Sequence, residues 1–401
     1  MRQFKDSGIE WIGKIPENWA LSRLKYVLDS PIETGKRPNE PEGKVLSIGG
    51  EHIQNGNFDL SHPMYVTETT YSENKGKIVP HDTLVVKDGA TIGKCMYVSS
   101  MPCEKMLLNE HVYRVNCSKF YYYWILSDIS QKWFRVRNQS TAQESITGPT
   151  IMNLPVVSLD IEVQNRIADY LDEKCGEIDS LITLQEQMIE KLKAYKQSVI
   201  TEAVTKGLDP NAKLVPSGID WIGDIPEGWK VAKAKYFVSI TNGSDPKTEG
   251  NIPVYGSGAG SFKTCGEYKI GPTVLIGRKG ATLHIPHYLE GKYWNVDTAF
   301  DVKVKSNMDL RYYYYLAICF DYKLYISQTT LPGMAQSSYY NMNLPIPPLS
   351  EQQAIASYLD EKCADIDRLI ALKQQKIEAL KDYKKSVIYE AVTGKTDLRD
   401  N

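Results

Sequence analysis

The residues that could hold a cofactor are met at Gly256-Ser257-Gly258-Ala259-Gly260, which follow Ile252-Pro253-Val254-Tyr255 as a glycine loop follows a strand. A loop that binds a dinucleotide or S-adenosylmethionine must open a helix whose N-terminus faces the ligand. Here Ser261 to Tyr268 reach another glycine, Gly266, within six positions, so no helix is signalled. No G-x-x-x-x-G-K-[ST] phosphate loop occurs, which removes that route to nucleotide hydrolysis. Adenine methylation of DNA uses an Asp/Asn-Pro-Pro-aromatic motif beside a flipped base. The lone Pro-Pro, Pro347-Pro348, is followed by Leu349 and Ser350. Among the six histidines, His284 and His287 form one close pair around Pro286, without a third ligand nearby, and a loop pair fits better than a metal site. The seven cysteines (Cys95, Cys103, Cys117, Cys175, Cys265, Cys319 and Cys363) show no C-x-x-C spacing and read as small buried apolar residues. Catalysis, cofactor and metal are therefore not expected in this chain.

The elements behind these residues are organised by a repeat. Residues 7–19, SGIEWIGKIPENW, match residues 217–229, SGIDWIGDIPEGW, at ten of thirteen positions with an offset of 210. Residues 170–204 match residues 358–392 at 24 of 35 positions with an offset of 188. The order is box, variable segment, helix, twice over. Between the matched blocks, residues 30–150 and 240–340 share little beyond short glycine-containing islands. A kept scaffold with diverged inserts implies two equivalent lobes that contact two different things, or two parts of one thing.

The second matched block lacks proline, and after Gly176 it lacks glycine, so it predicts a helix in each copy. With Ile178 at heptad position a, Gln185, Leu192 and Val199 also fall at a, Leu181, Met188 and Tyr195 at d, and Ile182 and Ile189 at e. The second copy places Ile366, Lys373, Leu380 and Val387 at a, Leu369, Lys376 and Tyr383 at d, and Ile370 and Ile377 at e. The expected seam, apolar at both ends and polar in its middle, is a register device. Two such helices in one chain predict an antiparallel pair, each a rod of about 55 Å at about 1.5 Å per residue.

At 401 residues, with 42% hydrophobic and 24% charged residues, the chain reads as a multidomain globular protein. The charged start, Met1 to Asp6, and the lack of an apolar run of about 18 residues predict a cytoplasmic protein without membrane contact. Bulk charge does not announce nucleic acid. Residues 1–155 carry 18 basic and 17 acidic side chains, and residues 217–345 carry 13 and 11. Runs such as Thr83 to Val86, Met64 to Val66, Pro272 to Ile276 and Phe300 to Val304 predict strands. The tyrosine clusters, Tyr121-Tyr122-Tyr123-Trp124 and Tyr312 to Tyr315, read as helical and as packing residues. The fold class expected is α+β: two α/β lobes separated by two long helices in an antiparallel coiled coil, with pseudo-twofold duplication. The boundaries are 1–155, 156–206, 207–345 and 346–398.

This arrangement is similar to the specificity subunit of type I restriction-modification systems. The resemblance is carried by Gly8-Ile9-Glu10-Trp11-Ile12-Gly13 and Gly218-Ile219-Asp220-Trp221-Ile222-Gly223, by the Ile-Pro-x-x-Trp after each, and by Leu344-Pro345-Ile346-Pro347-Pro348-Leu349-Ser350-Glu351-Gln352-Gln353 ahead of Tyr358-Leu359-Asp360. The first copy departs from it, reading Leu154-Pro155-Val156-Val157-Ser158-Leu159-Asp160-Ile161-Glu162-Val163-Gln164, and a different turn into its helix is expected. The resemblance implies that each lobe is a target recognition domain reading half of a split sequence in double-stranded DNA. It implies that the helices set the gap and dock two modification subunits. S-adenosylmethionine, ATP and Mg would then belong to the modification and restriction subunits.

For DNA contact, the matched islands Lys87-Asp88-Gly89-Ala90-Thr91-Ile92-Gly93-Lys94 and Arg278-Lys279-Gly280-Ala281-Thr282-Leu283-His284 stand out, since both follow a strand. Their glycines let backbone amides and Lys87, Lys94, Arg278 and Lys279 approach phosphates. Lys36 and Arg37 in an early loop are further candidates, as are Arg135, Arg137, Asn138 and Gln139, whose types suit guanine and adenine edges. Two other readings stand beside this one: an assembly scaffold whose lobes bind proteins, and a stand-alone methyltransferase.

Overall fold

Residues 161–206 and 349–392 contain no proline, and each run is stopped by a glycine in the left-handed region, Gly207 (φ +74°) and Gly394 (φ +72°). In the computed structural model they form helices Ile161–Lys206 and Leu349–Val392, of 46 and 44 residues. At about 1.5 Å per residue these are rods of about 69 and 66 Å, longer than expected because each begins nine residues ahead of its Tyr-Leu-Asp. The structure describes residues 3–36, 40, 42–54, 56–138, 145–326 and 332–398.

Burial along the first helix follows Leu171, Cys175, Ile178, Ile182, Gln185, Ile189, Leu192, Lys196, Val199 and Ala203, in alternating steps of four and three. The second helix repeats the stripe at an offset of 188, from Leu359 through Ile366, Ile370, Lys373, Ile377, Leu380 and Val387 to Ala391. The seam therefore runs through positions a and e of the register set on Ile178. Four of the expected d residues face solvent, Leu181 and Leu369 at 44% and 47% exposure and Tyr195 and Tyr383 both at 59%, while Met188 is half-buried. The stripe is fixed upstream, where the lobe cores bury Leu171 and Cys175 in one copy and Leu359 and Cys363 in the other. Continuing the four-three alternation from Ile178 selects Ile182 over its neighbour Leu181. Gln185 is buried and Lys373 half-buried, so the middle of the seam is polar as expected.

The chain divides into two compact units, residues 1–185 with 376–401, and residues 186–375. In the first, Lys384 Nζ donates to both carboxylate oxygens of Asp179 at 2.7 Å. In the second, Lys196 Nζ donates to both oxygens of Asp367 at 2.8 and 2.7 Å. Each pair is the other's copy at an offset of 188 with the donor and acceptor helices exchanged, the pattern of an antiparallel helix pair.

Each box folds as a small hairpin. Phe4–Asp6 pairs with Lys14–Pro16 and Leu214–Pro216 with Asp224–Pro226, both antiparallel. The first box packs on the end of the second helix. Tyr389 Oη donates to the Ile12 carbonyl at 3.0 Å, and a Cβ on Gly394 would lie 2.7 Å from both Trp19 and Pro16. The second box sits on the end of the first helix, where a Cβ on Gly207 would lie 3.2 Å from Trp229. Trp229 Nε1 also donates to Glu351 at 3.1 Å.

The variable segments share a strand plan despite their diverged sequences. In the first lobe one sheet runs Cys95–Tyr97, Thr83–Val86, Val112–Val115, Glu33–Thr34; in the second the same order is His287–Leu289, Thr273–Gly277, Ala299–Val304, Val238–Asn242. A second sheet in each lobe joins a parallel pair, Val45–Ile48 with Met106–Leu108 and Ile252–Tyr255 with Lys292–Asn295.

The tyrosine clusters lie on helices Lys119–Leu126 and Leu310–Ile318, which mount each lobe on the long helices. Tyr123 Oη donates to Asp172 at 2.6 Å, and Lys119 pairs with the same carboxylate. Tyr315 Oη and Arg311 Nε donate to Asp360 at 2.7 and 2.8 Å. Burial first, and then the hydrogen bond to a carboxylate, push both phenols far above their ordinary pKa. Packing, as expected, is their role.

The turns into the long helices are equivalent, contrary to expectation. Strands Pro155–Ser158 and Asn343–Ile346 end at the same distance from their helices. Gln164 Nε2 donates to the Leu159 carbonyl at 2.7 Å, and Gln352 Nε2 to that of Pro347 at 2.9 Å. The two extra residues are absorbed as a two-residue slide of Leu-Pro along the strand, which leaves every side chain on its original face.

Candidate nucleic-acid interface

Both glycine islands are loops between the two strands of a hairpin, Thr83–Val86 to Cys95–Tyr97 and Thr273–Gly277 to His287–Leu289. Gly89 (φ +84°) and Gly280 (φ +113°) occupy backbone conformations that L side chains rarely adopt. Each island is held by one later segment of its lobe in the same way. Ile146 N donates to the Lys87 carbonyl at 2.6 Å, and Met334 N to the Arg278 carbonyl at 2.9 Å. Asp88 bridges Ser145, as Lys279 bridges Gly333. The sequence match between islands is thus a structural equivalence.

The side chains on this common frame differ. Lys87 is half-buried, with Nζ 5.5 Å from the Tyr113 ring centre, and Lys94 Nζ donates to Gln54 at 2.7 Å. His111 is held between Asp88, at 2.5 Å, and Glu110, at 3.3 Å. In the second lobe Arg278 donates to the Asp297 carbonyl at 3.3 Å and lies 5.8 Å from the Phe300 ring, while Lys279 Nζ is 3.8 Å from the Asp297 carboxylate. His284 is exposed.

The remaining candidates are placed unevenly. Helix Asp128–Asn138 touches the first island through Gln131 Nε2, which donates to the Gly93 carbonyl at 3.0 Å. Arg135 and Arg137 on that helix are exposed, the latter 4.6 Å above the Trp133 ring. Lys36 is exposed just past strand Glu33–Thr34. Arg37 and Gln139 lie outside the described residues, as does the side chain of Asn138.

Other cations are engaged inside the lobes. Arg114 donates to Asp82 and Glu33 at 2.8 and 3.0 Å; burial opposes its charge, but these carboxylates outweigh burial and hold it protonated. Burial likewise opposes the charge of Asp301, yet hydrogen bonds from Thr273, Lys269 and Tyr293 win and hold its pKa below the ordinary value. The Cys95 and Cys117 thiols are pushed up to about 12 by burial, so neither supplies a thiolate at neutral pH. Among the described residues no group of three or more His, Cys, Asp or Glu side chains is arranged to hold a metal ion, and no helix is long and apolar enough to cross a membrane.

The family model for the type I restriction modification DNA specificity domain matches this chain twice, over residues 16–194 and 226–382. The chain belongs to this specificity family. Among its relatives is the type I restriction enzyme MjaVIII specificity subunit of Methanocaldococcus jannaschii, 22% identical over 96% of this chain and 95% of that one. A chain from a structure of type I restriction-modification complex assembly and conformational transition covers 95% of this chain and 99% of its own length, at 16% identity and a TM-score of 0.73. The HsdS subunit from Thermoanaerobacter tengcongensis covers 98% of this chain and 100% of its own length, at 15% identity and a TM-score of 0.52. These two likenesses establish the fold. The role of a specificity subunit is DNA sequence specificity, which favours the leading reading over the protein-binding scaffold.

Sequence reasoning missed the anchors Gln164, Asp172, Gln352 and Asp360. All four stand at the offset of 188, and asking which polar identities a buried seam does not need would have singled them out.

Proposed function

We propose that each lobe reads one half of a split double-stranded DNA sequence, that the paired helices set the gap, and that they seat two modification subunits. The observation carrying this reading is the pair of islands: one backbone frame, held by the same hydrogen bond in each lobe, bearing different side chains. A common mount with different contents suits two half-sites of different sequence. Lys87, Lys94, Arg278, Lys279 and His284 on the islands are proposed to face DNA, with Lys36, Arg37, Arg135, Arg137, Asn138 and Gln139 as their neighbours in function.

Docking is supported by the displaced d residues. Leu181, Leu184 and Tyr195 recur as Leu369, Leu372 and Tyr383, all exposed. Apolar side chains kept twice on solvent-facing positions suit two copies of one partner. In this reading the chain is the non-catalytic subunit, and S-adenosylmethionine, ATP and Mg serve the modification and restriction subunits. Co-expression with a modification subunit, followed by mapping of methylated adenines, tests it. A two-part motif with a fixed gap is expected; methylation without sequence preference would refute it.

A further inference from the structure

Directly after each box, the two lobes keep one more feature that their folding does not require. Arg23-Leu24-Lys25-Tyr26 and Lys233-Ala234-Lys235-Tyr236 stand at the box offset of 210. In both, the second residue is buried and fastens the turn: Leu24 N donates to the Leu154 carbonyl at 2.9 Å, and Ala234 N to that of Met342 at 2.8 Å. The turn is then a single 3-10 helix, Leu24–Tyr26 or Ala234–Tyr236, closed by Val27 N to Leu24 O at 3.0 Å or Phe237 N to Ala234 O at 2.9 Å.

The other three residues of each copy are exposed, and the tyrosines are unusually so, at 72% for Tyr26 and 60% for Tyr236. Lys25 Nζ lies 4.9 Å from the Tyr26 ring centre, and Lys235 Nζ 5.1 Å from that of Tyr236. Among the described residues none of the four cations forms an ion pair; the one hydrogen bond from their side chains runs from Arg23 to Asn153. In the second lobe a further cation joins, Lys305 Nζ donating to the Lys235 carbonyl at 2.9 Å.

We propose that these two clusters grip the phosphodiester backbone of DNA, as sequence-neutral anchors separate from the parts of each lobe that read bases. The proposal rests on the DNA-specificity reading. Three observations carry it. Exposure removes a folding role. Retention in both lobes, where the surrounding segments diverged, calls for a target that is the same at both half-sites; base edges are not, whereas phosphates are. The chemistry is two unpaired cations with a phenol, all hydrogen-bond donors to phosphate oxygens, and no neutralising carboxylate.

The test uses the full chain with its modification subunits, as wild type and as R23Q/K25Q/K233Q/K235Q. The probes are a duplex selected from a randomised pool by the wild-type complex and a scrambled duplex of equal length and composition. Affinity for each is measured across a salt series. The variant is expected to lose affinity equally for both probes, with its salt slope reduced by about three to four, near 0.9 per phosphate contact removed. An unchanged slope overturns the proposal, as does a loss confined to the selected duplex. Failure of the variant to co-purify with modification subunits, with its salt slope intact, overturns it in favour of a protein contact. Y26F/Y236F retains both rings and should weaken both probes to a smaller, equal extent. If the wild type selects no sequence from the pool, the specificity reading fails, while the slope on scrambled duplex still decides this proposal.

Discussion

Replacing Ile178 and Ile366 by alanine should unfold the protein early, whereas replacing Leu181 and Leu369 should leave it folded and unable to hold its partner. The two pairs are three residues apart on the same helices, and both are apolar at heptad spacing. Ile178, in the core of the first lobe, and Ile366 are buried at 4% and 5% exposure, so truncation removes their packing and leaves cavities. Each should cost about 3 kcal/mol, which for units of about 200 residues corresponds to about 6 to 12 °C in Tm. Leu181 and Leu369 leave nearly half of their surface in water, so truncation should cost under about 1 kcal/mol. Thermal melts followed by circular dichroism measure the first difference, and co-elution with a modification subunit on size exclusion measures the second. Early melting of the leucine variant would overturn the seam assignment. Normal melting with undiminished co-elution would leave the seam intact and remove the docking role of the exposed stripe.

A fragment of residues 1–210 should dimerise, because its Val199, Ile200, Ala203 and Val204 stand at the offset of Val387, Ile388, Ala391 and Val392, which complete the core of the first unit. Light scattering checks this, and with modification subunits the dimer should mark a palindromic split site; a stable monomer would count against the antiparallel pair. D301N should cost about 3 kcal/mol at neutral pH by leaving Lys269 without its carboxylate. The folded pKa of Asp301 lies below 3.8, so its contribution is present above that value and lost as pH falls through the folded one. Urea midpoints over an acid series should therefore fall less steeply for D301N than for wild type. Inserting one heptad into each long helix, between residues 182 and 196 and between 370 and 384, adds about 10.5 Å and should widen the methylated motif's gap by about three base pairs; an unchanged gap would remove the ruler role.

The architecture was legible because duplication acts as an alignment of the chain with itself. Positions kept at an offset of 188 predicted the helices and their antiparallel pairing, and the tyrosine clusters read correctly as packing because each precedes an apolar run. The register was misread for a local reason. Leu181 and Ile182 are adjacent and both apolar, and periodicity within the helix cannot choose between them; the choice is made by Leu171 and Cys175, which the lobe buries. The association of the first box with the end of the second helix was likewise invisible, since its contacts, such as Tyr389 to Ile12, span 377 residues. Candidate DNA contacts were legible as types only. Lys94 and Lys279 turn out to have partners in their own lobes, a matter of loop geometry that composition does not encode.

The same geometry explains how the two inserts could diverge while the rest stayed fixed. A recognition lobe that changes its target must alter its loops without disturbing its mount. Here the polar part of the mount is a few contacts repeated in both lobes: a glutamine from the first turns of the long helix reaching the start of the tyrosine helix, through Ser118 to Gln164 or Asp309 N to Gln352, and an aspartate two turns later receiving a tyrosine and a cation. Lys119 in one lobe is Arg311 in the other, so even the cation varies as long as its charge does not. The strand order then carries the hairpin loop to the same place relative to that mount in each lobe, and one backbone hydrogen bond, to Lys87 or Arg278, holds it there. Selection on the loop side chains is thereby uncoupled from selection on assembly, which is why similarity survives at Asp172 and Asp360 and vanishes a few residues beyond the islands.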